Sequence, residues 1–316
     1  MPTLAQLEYI VAVDRLKHFG RAAEACHVSQ PSLSAQIQKV EEDLGLVIFD
    51  RLKKPITTTE KGRSFIDQAR VVLDEQRRLL EVASTDKGEA SGDFRLGIIP
   101  TLTPYLLPRF LGPFSEKFQK VRLRIDEMKT ESIIQELKND KLDAGILATP
   151  LKEEALRERF LFQEKFFVYF RKDHPLTERR MIREDDLPDD LWVLQDGHCL
   201  RNQVLRICSS GRGSGRFKNL RFEGGNLETL RYLIRENAGY TLVPELFVLG
   251  LSPQERSQST REFSAPAPSR EISLVFRKHL WKTEILKALE TTVRTCLPSE
   301  MTEAPKRGSV KTVPIG

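Results

Sequence analysis

The sequence predicts an α/β protein in which a short helical N-terminal part precedes a larger domain of alternating strands and helices. Three observations carry that expectation. Residues 3–62 show short helical patterns with tight connections, residues 62–86 show one long helical pattern, and from Phe94 onward β-rich runs alternate with amphipathic stretches. The length of 316 residues suits two or three domains. With 40% hydrophobic and 30% charged residues the balance is that of a soluble globular chain, and no apolar run reaches transmembrane length. The start, MPTLAQLEYIVAVDRLKHF, lacks a basic cluster and carries Glu8 and Asp14 inside its apolar stretch, so a signal peptide is not expected. The expected compartment is the cytoplasm, with no membrane partner. The four cysteines are then expected to be free, packed or redox-active rather than structural bridges.

The formal net charge of +5 is no footprint of nucleic acid by itself. Residues 1–90 hold 13 Lys and Arg against 14 Asp and Glu, and the excess lies in residues 91–316, at 37 against 31. Six basic residues and no acid fall between Arg201 and Arg221. Local placement has to carry any argument about DNA.

In chain order, Leu4, Leu7 and Ile10 or Val11 mark a first amphipathic helix behind Thr3 as its cap. The stretch RAAEACHVSQPSLSAQIQKVEEDLG (21–45) then places small residues Ala22, Ala23 and Ala25 where two helices approach closely. Val28 is the apolar residue of a turn, Ser29 caps the next helix, and Pro31 suits its first turn. Leu33, Ile37, Val40 and Leu44 give that helix one buried face, leaving Gln30, Ser32, Ser34, Gln36 and Gln38 free for base edges and phosphates. A hairpin-like segment follows, FDRLKKPITTTEKG (49–62), with Arg51, Lys53 and Lys54 as a basic tip suited to phosphate or minor-groove contact. A generic helical subdomain with a solvated polar face would not bring alanine pair, turn, cap and basic wing together.

In the long helix at 62–86, Phe65, Ala69, Val72, Leu79 and Ala83 lie near heptad seam positions, interrupted by Gln76, which points to helix pairing in a dimer. KGEASGD (87–93) reads as a hinge. Expected strands are Phe94–Ile99, Val121–Met128, Leu142–Ala148, Phe160–Arg171, Trp192–Leu194, Gly239–Val243 and Ile272–Arg277, with helices at Ser132–Asn139 and Leu227–Asn237 among the separators. The expected sheet is largely parallel. Residues 250–270 read as a surface connection and 301–316 as a disordered tail.

The chain from its start to about residue 300 resembles the LysR-type transcriptional regulators. The resemblance implies a winged helix-turn-helix at 1–62 that reads double-stranded DNA, a linker and dimerisation helix with hinge at 63–90, and an effector domain at 91–300. That domain would be two-lobed and like a periplasmic binding protein, with lobes 91–164 plus 268–300 and 165–267 and crossings near 163–166 and 266–270. It further implies a homodimer assembling to a tetramer on DNA, and RNA polymerase as a partner.

A second signal is LQDGHCLRNQVLRICSS (194–210). Cys199 follows the Asp196-Gly197 turn and precedes a helical pattern carried by Leu200, Val204 and Ile207. A helix N-terminus favours thiolate over thiol, and His198 and Arg201 beside it could favour the anion further. A thiolate attacks peroxide oxygen to give a sulfenic acid, which a second thiol can resolve. Cys208 is nine residues on. If one helix joins the two, their Cα atoms are about 13 Å apart, whereas a disulfide needs roughly 4.4–6.8 Å. A bond between them would therefore remodel the backbone. Cys26 and Cys296 read as small packed residues. Cys199 and Cys208 lack zinc spacing, so neither metal nor cofactor is expected.

GHCLR with Cys208 downstream, NLETLRYLI (226–234), GYTLVP (239–244) and IIPTLTPYLLP (98–108) resemble the hydrogen peroxide sensors of the LysR family, the OxyR group. That resemblance implies Cys199 as the peroxidatic residue and Cys208 as its resolving partner. It implies Thr101, Thr130, His198 and Arg270 around the sulfur, and a thiol reductant such as glutaredoxin or thioredoxin to reset the switch. Thr101 and Thr130 each follow an expected strand at the carboxyl edge of the sheet, where ligands bind in such folds, although Thr130 also reads as an ordinary helix cap. Asn202 stands where the group commonly has Asp, which puts any proton relay there in doubt. SSGRGSGRFKN (209–219) reads as a solvated loop. The expected function is a DNA-binding regulator of oxidative-stress genes, activated by hydrogen peroxide, and not an enzyme. The alternatives are a LysR-type regulator answering a small metabolite, which the paired cysteines argue against, and a thiol peroxidase, which has no need of a helix-turn-helix.

Overall fold

The computed structural model describes residues 1–83, 90–208, 224–237, 239–303, 305 and 308–315. The chain divides into two compact units, Met1–Gly88 with His279–Lys282, and Glu89–Lys278 with Thr283–Gly316.

In the first unit α1 (Leu4–Leu16) starts at a capping box in which Thr3 and Gln6 exchange hydrogen bonds. Helix α2 (Phe19–Ala25) is capped by His18, whose ring accepts from the Arg21 amide. Helix α3 (Gln30–Leu44) is capped by Ser29 and ends at Gly45, whose φ of 59° is the left-handed geometry that glycine adopts without strain. Strands β1 (Phe49–Asp50) and β2 (Thr57–Thr58) pair antiparallel, and α4 (Glu60–Ala83) follows. A Cβ at Gly62 would collide with the Ile48 carbonyl, so only glycine lets α4 start this close to the wing. The core joins Ile10 and Val13 of α1, Ala22 and Ala23 of α2, Leu33, Ile37 and Val40 of α3, and Ile66 of α4. Two expected core positions are turned outward. Ala25 is exposed, and Leu44 is 43% exposed because the buried face of α3 ends one turn earlier.

Part of the expected seam of α4 is covered within the chain. Its stripe of Ala69 and Leu73, with Phe65 partly buried, packs on Leu7 and Val11 of α1 within the chain. Val72 and Leu79, one and two heptads after Phe65, are 39% and 68% exposed. The side chain of Ala83 lies outside the described residues, as do residues 87–89 of the expected hinge and all of 209–219.

The second unit runs β3 (Gly92–Ile98), α5 (Thr103–Lys117), β4 (Val121–Glu127), α6 (Thr130–Lys138), β5 (Ala144–Thr149), β6 (Leu156–Phe170), α7 (Cys199–Ile207), α8 (Leu227–Asn237) and β7 (Tyr240–Pro244). It continues with α9 (Glu245–Leu249), α10 (Pro253–Ser259), β8 (Thr260–Glu262), β9 (Ala267–Arg277), α11 (Thr283–Thr295), α12 (Ser299–Thr302) and β10 (Val310–Thr312). The sheet order is β4-β3-β5-β9-β6-β7, with β10 added to β9 and β8 to β6.

The sheet is mixed rather than largely parallel. β4, β3 and β5 run parallel, but β9 is antiparallel to both β5 and β6, and β6 is antiparallel to β7. The long return strands set this direction, and their partners are too far apart in sequence for periodicity to reveal them. β6 changes partner midway. Lys165 is the last residue paired with β9, opposite Ser269, and Phe166 the first paired with β7, opposite Pro244.

Trp192–Leu194 forms no strand. Trp192 donates its amide to the Tyr240 carbonyl at 2.8 Å beside an isolated bridge at Leu191. Residues 250–270 carry α10, β8 and the start of β9 instead of a bare connection. The expected disordered tail contains β10, parallel to β9 with Val310 opposite Ala267, and Val313 after it is buried. A three-residue strand is too short to show a period.

Candidate functional site

The first candidate surface is the outer face of α3. Leu33, Ile37 and Val40 fix one side of the helix in the core, which turns Gln30, Pro31, Ser32 and Gln36 outward, next to exposed Ser29, and leaves Ser34 half-buried. Gln36 is oriented by Gln6, whose amide donates to Gln36 Oε1 at 2.8 Å. The three basic wing residues divide into two roles. Arg51 donates to Ser34 Oγ at 3.3 Å and to Glu41 Oε2 at 2.7 Å, and its guanidinium lies 5.2 Å from the Phe19 ring centre. Glu41 in turn accepts the Ile48 and Phe49 amides. Arg51 is thus a strut that fixes the wing to α3, and Lys53 and Lys54 form the exposed tip.

The second candidate site is built where two helices begin. Cys199 is the first residue of α7, and Thr130 is the first residue of α6 and not its cap. Both are buried, and Thr130 Oγ1 lies 3.3 Å from Cys199 Sγ. The starts of both helices therefore meet at one sulfur. When that sulfur is an anion it can only accept, so the Thr130 hydroxyl must donate to it. The turn before α7 needs Gly197, with φ of 86°, where a Cβ would come within 2.9 Å of Lys129 Nζ. Lys129 donates to the Asp196 carbonyl at 3.2 Å.

A second buried polar chain lies at the carboxyl end of β3. Arg270 on β9 and Glu164 on β6 are both fully buried. Arg270 Nε donates to Glu164 Oε1 at 2.8 Å, and Glu164 Oε2 accepts the Leu246 amide at 3.0 Å. Arg270 Nη1 donates to Thr101 Oγ1 at 3.1 Å. With its oxygen already accepting, Thr101 has its hydroxyl proton available for another acceptor. A cleft of 340 Å³ is lined by Pro100, Met128, Lys129, Gln195, His198 and Gly225 among others. Thr101, Thr130 and Cys199 are each the next residue in sequence after one of these lining residues.

Two expected supports of the sulfur sit differently. His198 Nε2 is buried without a hydrogen-bond partner among the described residues. Burial first, and then Lys129, hold the His198 ring below the ordinary imidazole range, so at neutral pH it is an uncharged ring and not a cation beside the sulfur. Arg201 turns to Asp196 Oδ1, at 2.6 Å, and to the Leu194 carbonyl.

Cys208 closes the other end of α7 as its C-cap and is buried among Val204, Ile207, Trp192 and Tyr240. Burial pushes its thiol up to about 12, against a small opposing effect of the Tyr240 hydroxyl 3.9 Å away. That hydroxyl has one proton and gives it to the Pro188 carbonyl at 2.9 Å. All four cysteines are free thiols. Cys26 and Cys296, expected to be packed, are half-buried at helix ends. Asn202 is exposed on α7.

Sequence reasoning missed Glu164, Lys129, Gln203 and Tyr240. Only Glu164 carried a signal, an acid within the apolar run FLFQEKFFVYF. Among the described residues no cluster of side chains could hold a metal, and no helix is long and apolar enough to cross a membrane.

Comparison with known proteins adds to this geometry. Residues 4–63 match the bacterial regulatory helix-turn-helix protein, lysR family, and residues 87–298 match the LysR substrate binding domain. The chain is 38% identical over 275 residues to the hydrogen peroxide-inducible genes activator of Haemophilus influenzae, covering 87% of this chain and 90% of the relative. It is 38% identical over 278 residues to the DNA-binding transcriptional dual regulator OxyR of Escherichia coli K12, covering 87% and 89%. A full-length OxyR from Pseudomonas aeruginosa with a cysteine replaced by aspartate superposes with a TM-score of 0.77 at 32% identity, over 96% of this chain and 99% of that one. A hydrogen-peroxide-bound OxyR cysteine-to-serine mutant from Corynebacterium glutamicum gives 0.59 at 29% identity, over 94% and 92%.

Proposed function

The chain belongs to the LysR family of bacterial regulators, and from that premise we propose that it is a transcriptional activator of oxidative-stress genes, switched by hydrogen peroxide through Cys199 and a Cys199–Cys208 disulfide. The observation that carries this reading is the Cys199 sulfur at the start of α7, 3.3 Å from the Thr130 hydroxyl, with a free thiol at the far end of the same helix. The peroxide-inducible relatives support it.

In the first step the Cys199 thiolate attacks one peroxide oxygen. An S–O bond forms as the O–O bond breaks, sulfur gives up two electrons, and the departing hydroxide takes the proton lost by the thiol and leaves as water. Thr130 holds the anion, and the Thr101 hydroxyl, fixed by Arg270, is free to donate to peroxide. In the second step Cys208 sulfur attacks Cys199 sulfur. The S–S bond forms, the S–O bond breaks, and the hydroxyl leaves as a second water with the Cys208 proton. The ends of α7, about 13 Å apart by helix rise, must come within roughly 4.4–6.8 Å. Helix α7 therefore unwinds, and Cys208 leaves its apolar cluster.

In this reading residues 1–62 read double-stranded DNA through Ser29, Gln30, Pro31, Ser32, Ser34 and Gln36, with phosphate contact from the wing lysines. Helix α4 pairs two chains through its exposed Val72 and Leu79 stripe, and two dimers form a tetramer. The effector domain at 91–300 is two-lobed, like a periplasmic binding protein, with β6 and β9 as the crossings. RNA polymerase receives the signal in the cytoplasm, and a glutaredoxin or thioredoxin resets the disulfide.

The test is mass spectrometry after one equivalent of peroxide and alkylation of the remaining thiols. The expected result is loss of two alkylatable thiols and a peptide linking Cys199 to Cys208, with DNA binding changed in the same sample. Cys199→Ser is expected to bind DNA and ignore peroxide. Full alkylation of Cys199 after peroxide would remove the sensing function and leave a regulator answering a ligand in the cleft.

A further inference from the structure

We propose that β10 and Val313 form a strap that positions α7, holding it wound between its two cysteines and so setting how fast Cys208 reaches oxidised Cys199. The proposal rests on the disulfide reading above.

The strap is fastened on one side to β9. Val310, Lys311 and Thr312 pair in parallel with Ala267, Pro268 and Ser269. The Ala267 amide donates to the Ser309 carbonyl at 3.0 Å, and the Val313 amide to the Ser269 carbonyl at 2.8 Å. Gln163 on β6 adds a side-chain tie, donating to Thr312 Oγ1 at 2.9 Å and to Ser269 Oγ at 2.8 Å. Pro268 has no amide to give, so side-chain and flanking bonds carry the attachment there.

On the other side the strap grips the redox helix at its middle. Gln203 is fully buried on α7, and its Nε2 donates to the Val313 carbonyl at 2.8 Å. Its Oε1 is buried without a hydrogen-bond partner among the described residues. The Val313 carbonyl therefore satisfies a buried amide that would otherwise lose all its bonds to protein. The Val313 side chain packs in the cluster that holds Val204, Ile207 and Cys208.

The disulfide requires α7 to unwind between Cys199 and Cys208, and Gln203 lies between them. Unwinding draws Gln203 away from Val313 and opens the apolar cluster under Val313. Both changes oppose the winding loss, so the strap favours the reduced form. It acts only on the approach of the two sulfurs. The attack on peroxide uses atoms at the start of α7, which the strap does not touch.

The experiment compares the full chain with a chain lacking residues 305–316 and with Gln203→Leu. In the reduced proteins, amide exchange across residues 200–207 is expected to rise about tenfold in both variants, the factor that one buried hydrogen bond is worth. After peroxide, loss of Cys199 sulfenic acid to disulfide is expected to quicken about tenfold, while formation of sulfenic acid keeps its rate. A helix merely damaged by deletion would also slow the formation of sulfenic acid, because Cys199 begins that helix. Joining the two changes is expected to add nothing to the shortened chain alone, which has already lost both the Gln203 bond and the Val313 packing. Unchanged exchange across α7 in the shortened chain, with native melting behaviour, would overturn the strap. Faster exchange with no Cys199–Cys208 bond in any of the chains would uphold the strap and overturn the disulfide reading. If Gln203→Leu fails to fold, the shortened chain alone decides.

Discussion

The two ends of α7 carry the same functional group in opposite surroundings. Cys199 begins the helix, beside a threonine hydroxyl, where the starts of two helices meet. Cys208 ends it in an apolar cluster, with burial pushing its thiol up to about 12. In the proposed switch the first reacts where it stands, and the second reacts only after it moves. A helix of nine residues keeps the two thiols apart, so in that proposal the secondary structure is the barrier between the two chemical steps.

The largest effect that tests this contrast is expected from Cys208→Ser. It should abolish the disulfide entirely and trap Cys199 as sulfenic acid, seen as a thiol-reactive species by trapping with a sulfenic-acid probe. A disulfide that still forms would assign the resolving role to Cys26 or Cys296 and break the comparison. Next in size is Thr130→Val, which keeps the shape and removes the donor to the sulfur. A hydrogen bond to a charged group is worth about 1.5–3 kcal/mol, so peroxide attack should slow by roughly tenfold to a hundredfold, with the rate of the second step unchanged. Stopped-flow loss of Cys199 thiol checks it. Glu164→Gln should slow the same step less, because Arg270 keeps a neutral partner and only its aim at Thr101 is relaxed.

Alkali sharpens the comparison in the opposite sense. The ordinary thiol value is 9.0, and the folded Cys208 value is about 12. The unfolded chain then releases its proton first as pH rises, so this contribution is complete below about pH 9 and is lost between 9 and about 12. Melting temperature should fall across that window and fall less in Cys208→Ala. Tyr240, raised first by burial and then by Cys208, adds to the same trend, and in Cys208→Ala it keeps the part due to burial.

Helix starts and buried faces were legible in the sequence because their determinants are local. Ser29 before Gln30, the Leu33, Ile37 and Val40 stripe, and Cys199 after the Gly197 turn all lie within a turn or two of what they define. Pairing across distance was not legible. Arg270 and Glu164 are 106 residues apart, and nothing in either segment names the other. Arg51 read as a basic tip because its partner Glu41 sits on a different element, and His198 read as a cation because burial does not show in composition. The parallel expectation for the sheet failed for the same reason. β5 and β9 are joined by long-range register and not by a short crossover.

The smallest expected effect separates packing from hydrogen bonding at the storage end. Tyr240→Phe leaves the ring that covers Cys208 and removes only the hydroxyl. The Pro188 carbonyl then loses its 2.9 Å donor, while Cys208 loses a neighbour at 3.9 Å that is too distant to hold it strongly. The cost should be about 1 kcal/mol of stability, read by urea denaturation, with the rate of disulfide formation within about twofold of the parent, well inside what one hydrogen bond is worth. A much faster disulfide in this variant would mean that the phenol, and not the apolar cluster, keeps Cys208 in place, and the two ends of α7 would then differ by one hydrogen bond instead of by burial.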